Sequence, residues 1–298
     1  MATKAKTTKR ESFLPSKIQD YKQLVKFRLS LLVVFSAGIA YTLGAESLDW
    51  TNLLLLCLGG FLVTGAANTL NQVLEREYDC LMPRTANRPL AANRMESSEA
   101  VLFAGLMSVI GIIILAYFNV LTALLGSISL VSYAFIYTPM KRVSPIAVWI
   151  GSIPGALPMS IGWVAATGQL GAEALFLFSI QFFWQFPHFW SIAWVAYEDY
   201  AKAGFYLLPS RQKDGRGKST AAQITFYALC LIPISFIPYT LGMTGYVAVV
   251  TMLIMALMYL FYSVNLYLNC NRRAALRLMF SSFIYLPIVL VMLLVDKI

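Results

Sequence analysis

Apolar residues occupy this chain in long blocks separated by short polar breaks. Nine blocks stand at 25–44, 51–74, 98–117, 119–138, 145–165, 173–196, 220–240, 243–268 and 275–295. A helix that crosses a bilayer needs about 20 mainly apolar residues. In lipid each backbone amide must be satisfied within its own segment, so such blocks are helices and not strands. The breaks between the third and fourth blocks and between the seventh and eighth leave room only for tight turns, so those pairs are expected to be antiparallel hairpins. The pattern predicts an all-α membrane protein with nine transmembrane helices: a basic cytoplasmic segment at 1–24, then one nine-helix domain over 25–298.

Composition agrees. The chain is 59% hydrophobic and 12% charged, against roughly 45–50% and about 25% in a soluble domain. That little charge cannot cover a water-soluble surface, so a soluble enzyme and a disordered chain are both excluded. Cys57, Cys80, Cys230 and Cys270 show no CxxC spacing, which argues against a zinc site or a disulfide framework. Residues 1–24 lack the apolar core of a signal peptide, so the first block is expected to be an uncleaved span.

Charge then orients the chain. With the N-terminus in the cytoplasm, 22 of the 23 Lys and Arg fall on the cytoplasmic side, and only Lys297 does not. That bias predicts the N-terminus inside and the C-terminus outside. The net charge of +9 thus marks topology and not nucleic acid. The same face also carries ten of the fourteen acids, leaving only Glu46, Asp49, Glu173 and Asp296 opposite. The positive-inside rule explains the bases but not the acids, and the acids point to chemistry on that face.

Three clusters there could carry it. Asn71, Glu75 and Asp79 recur at i, i+4 and i+8, so a helix continuing past the second block would place them on one stripe. Such oxygen donors suit Mg²⁺, which takes one or two carboxylates and completes its shell with phosphates and water. The plainer alternative is a solvated helix end. Arg84 and Arg88 follow in a proline-stiffened loop, and guanidinium forks suit phosphate, although arginines here also serve topology. Tyr137, Thr138, Lys141 and Arg142 form the second cluster. The third closes the sixth block, where Gln181, Gln185 and His188 share a helical face and Glu198 and Asp199 follow. On an unbroken helix His188 and Asp199 would share that face about 16 Å apart. Polar residues within a span usually face a cavity, so a pocket is expected here, with His188 alternatively a packing residue. The Gly- and charge-rich loop from Pro209 to Thr220 is long enough to act as a lid.

Together these runs resemble the UbiA superfamily of intramembrane prenyltransferases, and within it the branch that farnesylates haem. The likeness is carried by Asn71-x₃-Glu75-x₃-Asp79 with Arg84-Thr85-x-Asn87-Arg88-Pro89-Leu90. It extends through Tyr137-Thr138-x₂-Lys141-Arg142, Gly151-x₃-Gly155-Ala156-x-Pro158, and His188-Phe189-Trp190 leading to Asp199-Tyr200 and Leu208-Pro209. The resemblance implies nine helices around a central cavity. It implies transfer of farnesyl from farnesyl diphosphate to a vinyl group of haem B with addition of water, giving haem O for haem–copper oxidases. It implies Mg²⁺ as cofactor, with Asn71, Glu75, Asp79, Asp199 and Glu198 as candidate ligands. Arg84, Arg88, Lys141 and Arg142 would bind the diphosphate, and His188 the haem.

Asp79, Asp199, Lys141, Arg142 and Tyr137 would carry the catalysis, with Tyr133, Tyr137 or Trp163 offering a ring face to an allylic cation. Implied partners are the lipid bilayer and haem A synthase or terminal-oxidase assembly factors. The basic N-terminus is short and carries Glu11 and Asp20, unlike most transit peptides, so a bacterial plasma membrane is expected and not a mitochondrial one. Two positions depart from the superfamily pattern: Glu75 stands where Asp is usual, and Ala203 where a second acid would follow Asp199. A carrier and an aromatic (quinone-precursor or chlorophyll-type) prenyltransferase are the competing readings. No internal repeat supports the first, and His188-Phe189-Trp190 with Ala203 argues against the second.

Overall fold

The computed structural model describes residues 16–210 and 215–298. The start of the basic N-terminal segment (1–15) and the middle of the expected lid (211–214) lie outside the described residues.

Among the described residues there are nine long helices and no strand. They are α1 (Phe27–Gly44), α2 (Trp50–Leu74), α3 (Ser97–Phe118), α4 (Val120–Val131), α5 (Ala147–Thr167), α6 (Ala172–Val195), α7 (Lys218–Ile234), α8 (Tyr246–Asn269) and α9 (Arg272–Val295). Helix α4 runs on through a π-helical stretch, Ser132–Tyr137, into Thr138–Met140. Short helices at Lys17–Leu24, Arg76–Asp79, Tyr197–Lys202 and Ile237–Thr240 connect the rest.

The boundaries follow local chemistry. Asp49 caps α2 by accepting from the Thr51 amide at 2.8 Å, which satisfies a donor that has no partner within the helix. Asn119, the single residue between α3 and α4, caps α4 through the Thr122 amide and also donates to the Val164 carbonyl at 2.9 Å. The α3–α4 pair is thus the expected tight hairpin. Helix α5 stops at Gly168, whose φ of 73° an L side chain rarely adopts.

Eight of the nine, with α4 followed on to Met140 and α7 to Thr240, are long and apolar enough to cross a bilayer. The other, α6, has 24 residues but carries Gln181, Gln185, Pro187 and His188. The surface is inverted relative to a soluble protein: Leu54, Leu102, Ile113, Ile254 and Phe261 are all exposed. This is the surface of a multi-pass membrane protein. Helix α5 is the most enclosed span, with 72% of its apolar window buried against 22% for α3. Small residues allow this closeness. A Cβ on Gly162 of α5 would stand 2.0 Å from the Ala37 carbonyl oxygen of α1, so backbone meets backbone there.

The two ends of the bundle differ. At one, the Lys297 ammonium donates to the carbonyls of Thr42 and Ala45 (2.9 and 2.7 Å). At the other, ion pairs join Lys17 to Glu99, Arg94 to Asp20, Arg88 to Asp79, Lys141 to Glu75 and Arg216 to Glu198. Five of the acids that the positive-inside rule left unexplained, Asp20, Glu75, Asp79, Glu99 and Glu198, therefore meet bases at that end.

Candidate active site

Helix α2 does not continue as an unbroken stripe. It ends at Leu74, Glu75 takes φ −97° and ψ 5°, and a separate turn covers Arg76–Asp79. The i→i+4 bonds nevertheless persist, from the Glu75 amide to the Asn71 carbonyl (3.0 Å) and from the Asp79 amide to the Glu75 carbonyl (2.8 Å). Asn71, Glu75 and Asp79 consequently still face inward, and each is 5% exposed or less.

A cation meets each of them. The Lys141 ammonium donates to Glu75 Oε1 at 2.7 Å. Arg88 Nη1 donates to both Asp79 carboxylate oxygens at 2.8 and 2.7 Å. The Lys26 ammonium donates to Asn71 Oδ1 at 2.9 Å, while the Asn71 amide donates to Thr138 Oγ1 at 3.1 Å. The Thr85 hydroxyl donates to the Asp79 carbonyl at 2.8 Å and pins the arginine loop. Burial pushes the Asp79 carboxyl upward, and Arg88 pulls against that shift. Buried charges of this kind persist only when paired in good geometry.

Lys26 is a member that sequence reasoning counted only as a topology signal. It sits at the start of α1 in the left-handed region, φ 48°. Desolvation, reinforced by Arg88 and Lys141, pushes its ammonium down to about 7. Three cations thus crowd two carboxylates, and the excess positive charge invites an anion. The only sequence signal was a lysine at the entry to an apolar block, which topology already explained.

Tyr137 lies under Lys141, whose ammonium is 4.6 Å from the ring centroid. The π-helical stretch brings Tyr133 within 5.3 Å of Tyr137, an arrangement common at functional sites. Gly151 makes room for the Tyr137 ring, since a Cβ there would stand 2.6 Å from it. Trp163 corrects an expectation. It packs beside Gly44, at the far end of α1 from Lys26, about 27 Å away at 1.5 Å per residue, so it cannot face a cation formed here.

The remaining candidates split. Arg84 lies over the Tyr200 ring at 5.3 Å, and Arg142 over Tyr78 at 4.0 Å with a hydrogen bond to its hydroxyl. The Tyr206 amide donates to the Lys141 carbonyl at 2.7 Å, closing this loop onto the site. Helix α6, however, ends at Val195, and Tyr197–Lys202 is a separate helix. The unbroken helix expected from His188 to Asp199 is therefore interrupted at Ala196. Glu198 is 72% exposed and pairs with Arg216 at 3.1 Å. Asp199 is half-buried on the same short helix. Among the described residues, no three His, Cys, Asp or Glu side chains form a ready metal cluster. What the structure does gather is Asn71, Glu75 and Asp79, whose carboxylate and amide oxygens fit a hard divalent cation better than nitrogen or sulfur donors would.

Deeper in the bundle, Gln185 Nε2 donates to the carbonyls of Ser152 (3.2 Å) and Gln181 (3.0 Å). Gly155 accommodates its other end, since a Cβ there would stand 2.0 Å from Gln185 Oε1. Gln181 Oε1 is buried without a hydrogen-bond partner. His188 Nδ1 is 2.7 Å from Ser282 Oγ, and its ring stacks on Trp184 with centroids 4.5 Å apart. The polar stripe on α6 therefore faces other helices instead of lipid.

Comparison with known proteins places this arrangement in context. The model of the UbiA prenyltransferase family matches residues 31–286. The protoheme IX farnesyltransferase of Cytophaga hutchinsonii is 50% identical over 287 residues, covering 96% of this chain and 100% of that protein. The protein of the same name from Flavobacterium johnsoniae is 44% identical, covering 93% and 94%. Among solved structures, a digeranylgeranylglyceryl phosphate synthase superposes with a TM-score of 0.79 at 20% identity, covering 94% of this chain and 98% of its own. A UbiA homolog from Archaeoglobus fulgidus, bound to GPP and Mg²⁺, superposes with a TM-score of 0.68 at 14% identity, covering 92% and 99%.

Proposed function

This chain belongs to the UbiA prenyltransferase family, and on that premise we propose that it transfers farnesyl from farnesyl diphosphate to a vinyl group of haem B, with addition of water, to give haem O and diphosphate. Half-identity over nearly the whole length to a protoheme IX farnesyltransferase supports the acceptor. The observation that carries the chemistry is the buried set of Lys26, Arg88 and Lys141 around Asn71, Glu75 and Asp79.

In the reaction the farnesyl C–O bond breaks and its electron pair leaves with the diphosphate. The vinyl π pair then forms the new C–C bond, and water captures the resulting cation beside the porphyrin ring and releases a proton. Magnesium, held by Asn71, Glu75 and Asp79, would neutralise charge on the leaving group. Lys141, Arg88 and Lys26 exchange their protein oxygens for phosphate oxygens, with Arg84 and Arg142 at the rim. Cations already aimed at the place where negative charge develops lower the barrier without reorganising. Tyr137 and Tyr133 face the allylic cation just inside that cluster, where exclusion of bulk water delays quenching. Asp199 would support a second ion or orient water, while Glu198 holds Arg216. His188 contacts the haem. The site faces the cytoplasm of a bacterial plasma membrane, with the N-terminus inside, the C-terminus outside and α6 as the ninth span.

The test is direct. Purified protein with haem B, farnesyl diphosphate and Mg²⁺ should yield a haem heavier by one farnesyl and one hydroxyl group. Prenylation of a hydroxybenzoate or naphthoate, with haem B left unchanged, would overturn the acceptor.

A further inference from the structure

His188 is held in a way that its own contact with a substrate does not require. It lies on α6 one turn from Trp184, and both residues meet the same residue of α9. Trp184 Nε1 donates to the Ser282 carbonyl at 3.0 Å, and His188 Nδ1 stands 2.7 Å from Ser282 Oγ. Trp184 stacks on one face of the imidazole, with 17° between the planes, and Phe283 approaches its edge at 5.3 Å. The Tyr259 hydroxyl of α8 in turn donates to the Trp184 carbonyl at 3.2 Å. Three helices therefore fix one ring.

The hydroxyl of Ser282 decides the tautomer. A serine carries one hydroxyl proton, and Ser282 Oγ lies 2.5 Å from the Met279 carbonyl oxygen, a separation two oxygens keep only with that proton between them. Ser282 Oγ can then only accept from the imidazole, so Nδ1 carries the proton and Nε2 keeps its lone pair. Among the described residues, no hydrogen-bond partner reaches Nε2. Histidines that ligate metals through one nitrogen are held in this way, the other N–H donating to a fixed acceptor. Yet the protein gathers no further donors: among the described residues, no metal-binding group of His, Cys, Asp or Glu exists. A lone imidazole suits a metal that arrives with its equatorial ligands already in place, which describes an iron porphyrin.

Building on the function proposed above, we infer that His188 Nε2 is the axial ligand of the substrate haem and that Ser282 is the positioning residue which holds it in the ligating tautomer. The chemical class is set by the donor: a metalloporphyrin with an open axial position. The porphyrin ring would then be anchored through its iron, leaving the vinyl groups to be placed by the walls of the site.

The experiment uses full-length protein with ferrous haem B, read by resonance Raman and by haem titration, with farnesyl transfer measured in parallel. The wild type should show an iron–histidine stretching band, and His188→Ala should lack it. Ser282→Ala should stay folded, shift that band to lower frequency and weaken haem binding about 10-fold or more. Ser282→Thr, which keeps the hydroxyl, should restore both. A band and affinity unchanged in Ser282→Ala would overturn the positioning role, and a band that survives His188→Ala would overturn the ligation. A wild type that farnesylates haem without showing the band would remove this inference and leave the proposed function standing. A wild type that neither binds nor farnesylates haem would remove both.

Discussion

At Asp79 a carboxylate with almost no solvent contact is held by one guanidinium, from Arg88. In a merely structural ion pair, replacing the carboxylate with an amide would cost stability and little else. In the proposed site it removes a metal oxygen and takes from Arg88 the carboxylate it holds. Asp79→Asn is therefore expected to lose about 100-fold or more in farnesyl transfer, with excess Mg²⁺ failing to rescue it, while detergent-solubilised protein still elutes as one sharp peak. Near-normal turnover would dismiss this metal site. Lys26 makes a second prediction at the same scale. Its ammonium titrates near 7 in the folded protein against 10.5 ordinarily, so between those values the unfolded chain binds a proton that the folded chain does not. Stability thus rises with pH across that window, and the penalty for the buried charge is fully present below about 7. An anion reverses the balance by favouring the ammonium. Diphosphate binding to metal-free protein should weaken as pH rises through about 7, and calorimetry in buffers of different ionisation enthalpy should register proton uptake. Lys26→Arg, permanently charged, should flatten that dependence.

At the scale of elements, the decisive features are breaks in helices. The halt at Glu75 turns what reads as one amphipathic stripe into a helix end and a detached turn. This lets Asp79 point back at the arginine loop while Asn71 reaches Thr138. The π-helical stretch in α4 does the same for Tyr133 and Tyr137. Neither break has a proline or glycine at its centre, so local propensity offered no warning of it. The stop after Val195 interrupts the helix between His188 and Asp199 in the same way. Glycines set how closely whole helices approach. Gly162→Ala drives a methyl into the Ala37 carbonyl, which is backbone and cannot swing away. It should destabilise the α1–α5 contact by about 1–3 kcal/mol, seen as a lower thermal transition in detergent. Gly105→Ala on α3, with nothing within 4 Å of the new methyl, should leave that transition within error or raise it slightly, since alanine is the better helix former. Equal effects at the two positions would contradict the packing described.

At the scale of the molecule, the segregation of charge becomes a testable orientation. Cys80 is exposed at the end that carries the ion pairs, and Gln169 is exposed just past the opposite end of α5. In right-side-out cells a membrane-impermeant maleimide should label Gln169→Cys and spare Cys80, and inverted vesicles should show the reverse. Labelling of both from one side would contradict the three spans, α3, α4 and α5, that separate them.

Much of this was legible in the chain before any folding. Hydropathy alone marked where the long helices stand, because lipid leaves the backbone no alternative to a helix. The distribution of lysine and arginine marked which ends belong together. The spacing of Asn71, Glu75 and Asp79 with Arg84 and Arg88 pointed to the proposed chemistry, because hard oxygen donors suit a divalent cation and guanidinium groups suit phosphate. Tertiary structure alone decided partnership. That Lys141 answers Glu75, that Lys26 stands at Asn71, that Trp163 lies too far away and that Ser282 meets His188 are matters of distances across 45 to 94 residues of sequence. Periodicity reports only which face of its own helix a residue occupies. Which residue faces it there depends on how the helices pack, and in this protein small residues let them pack closely.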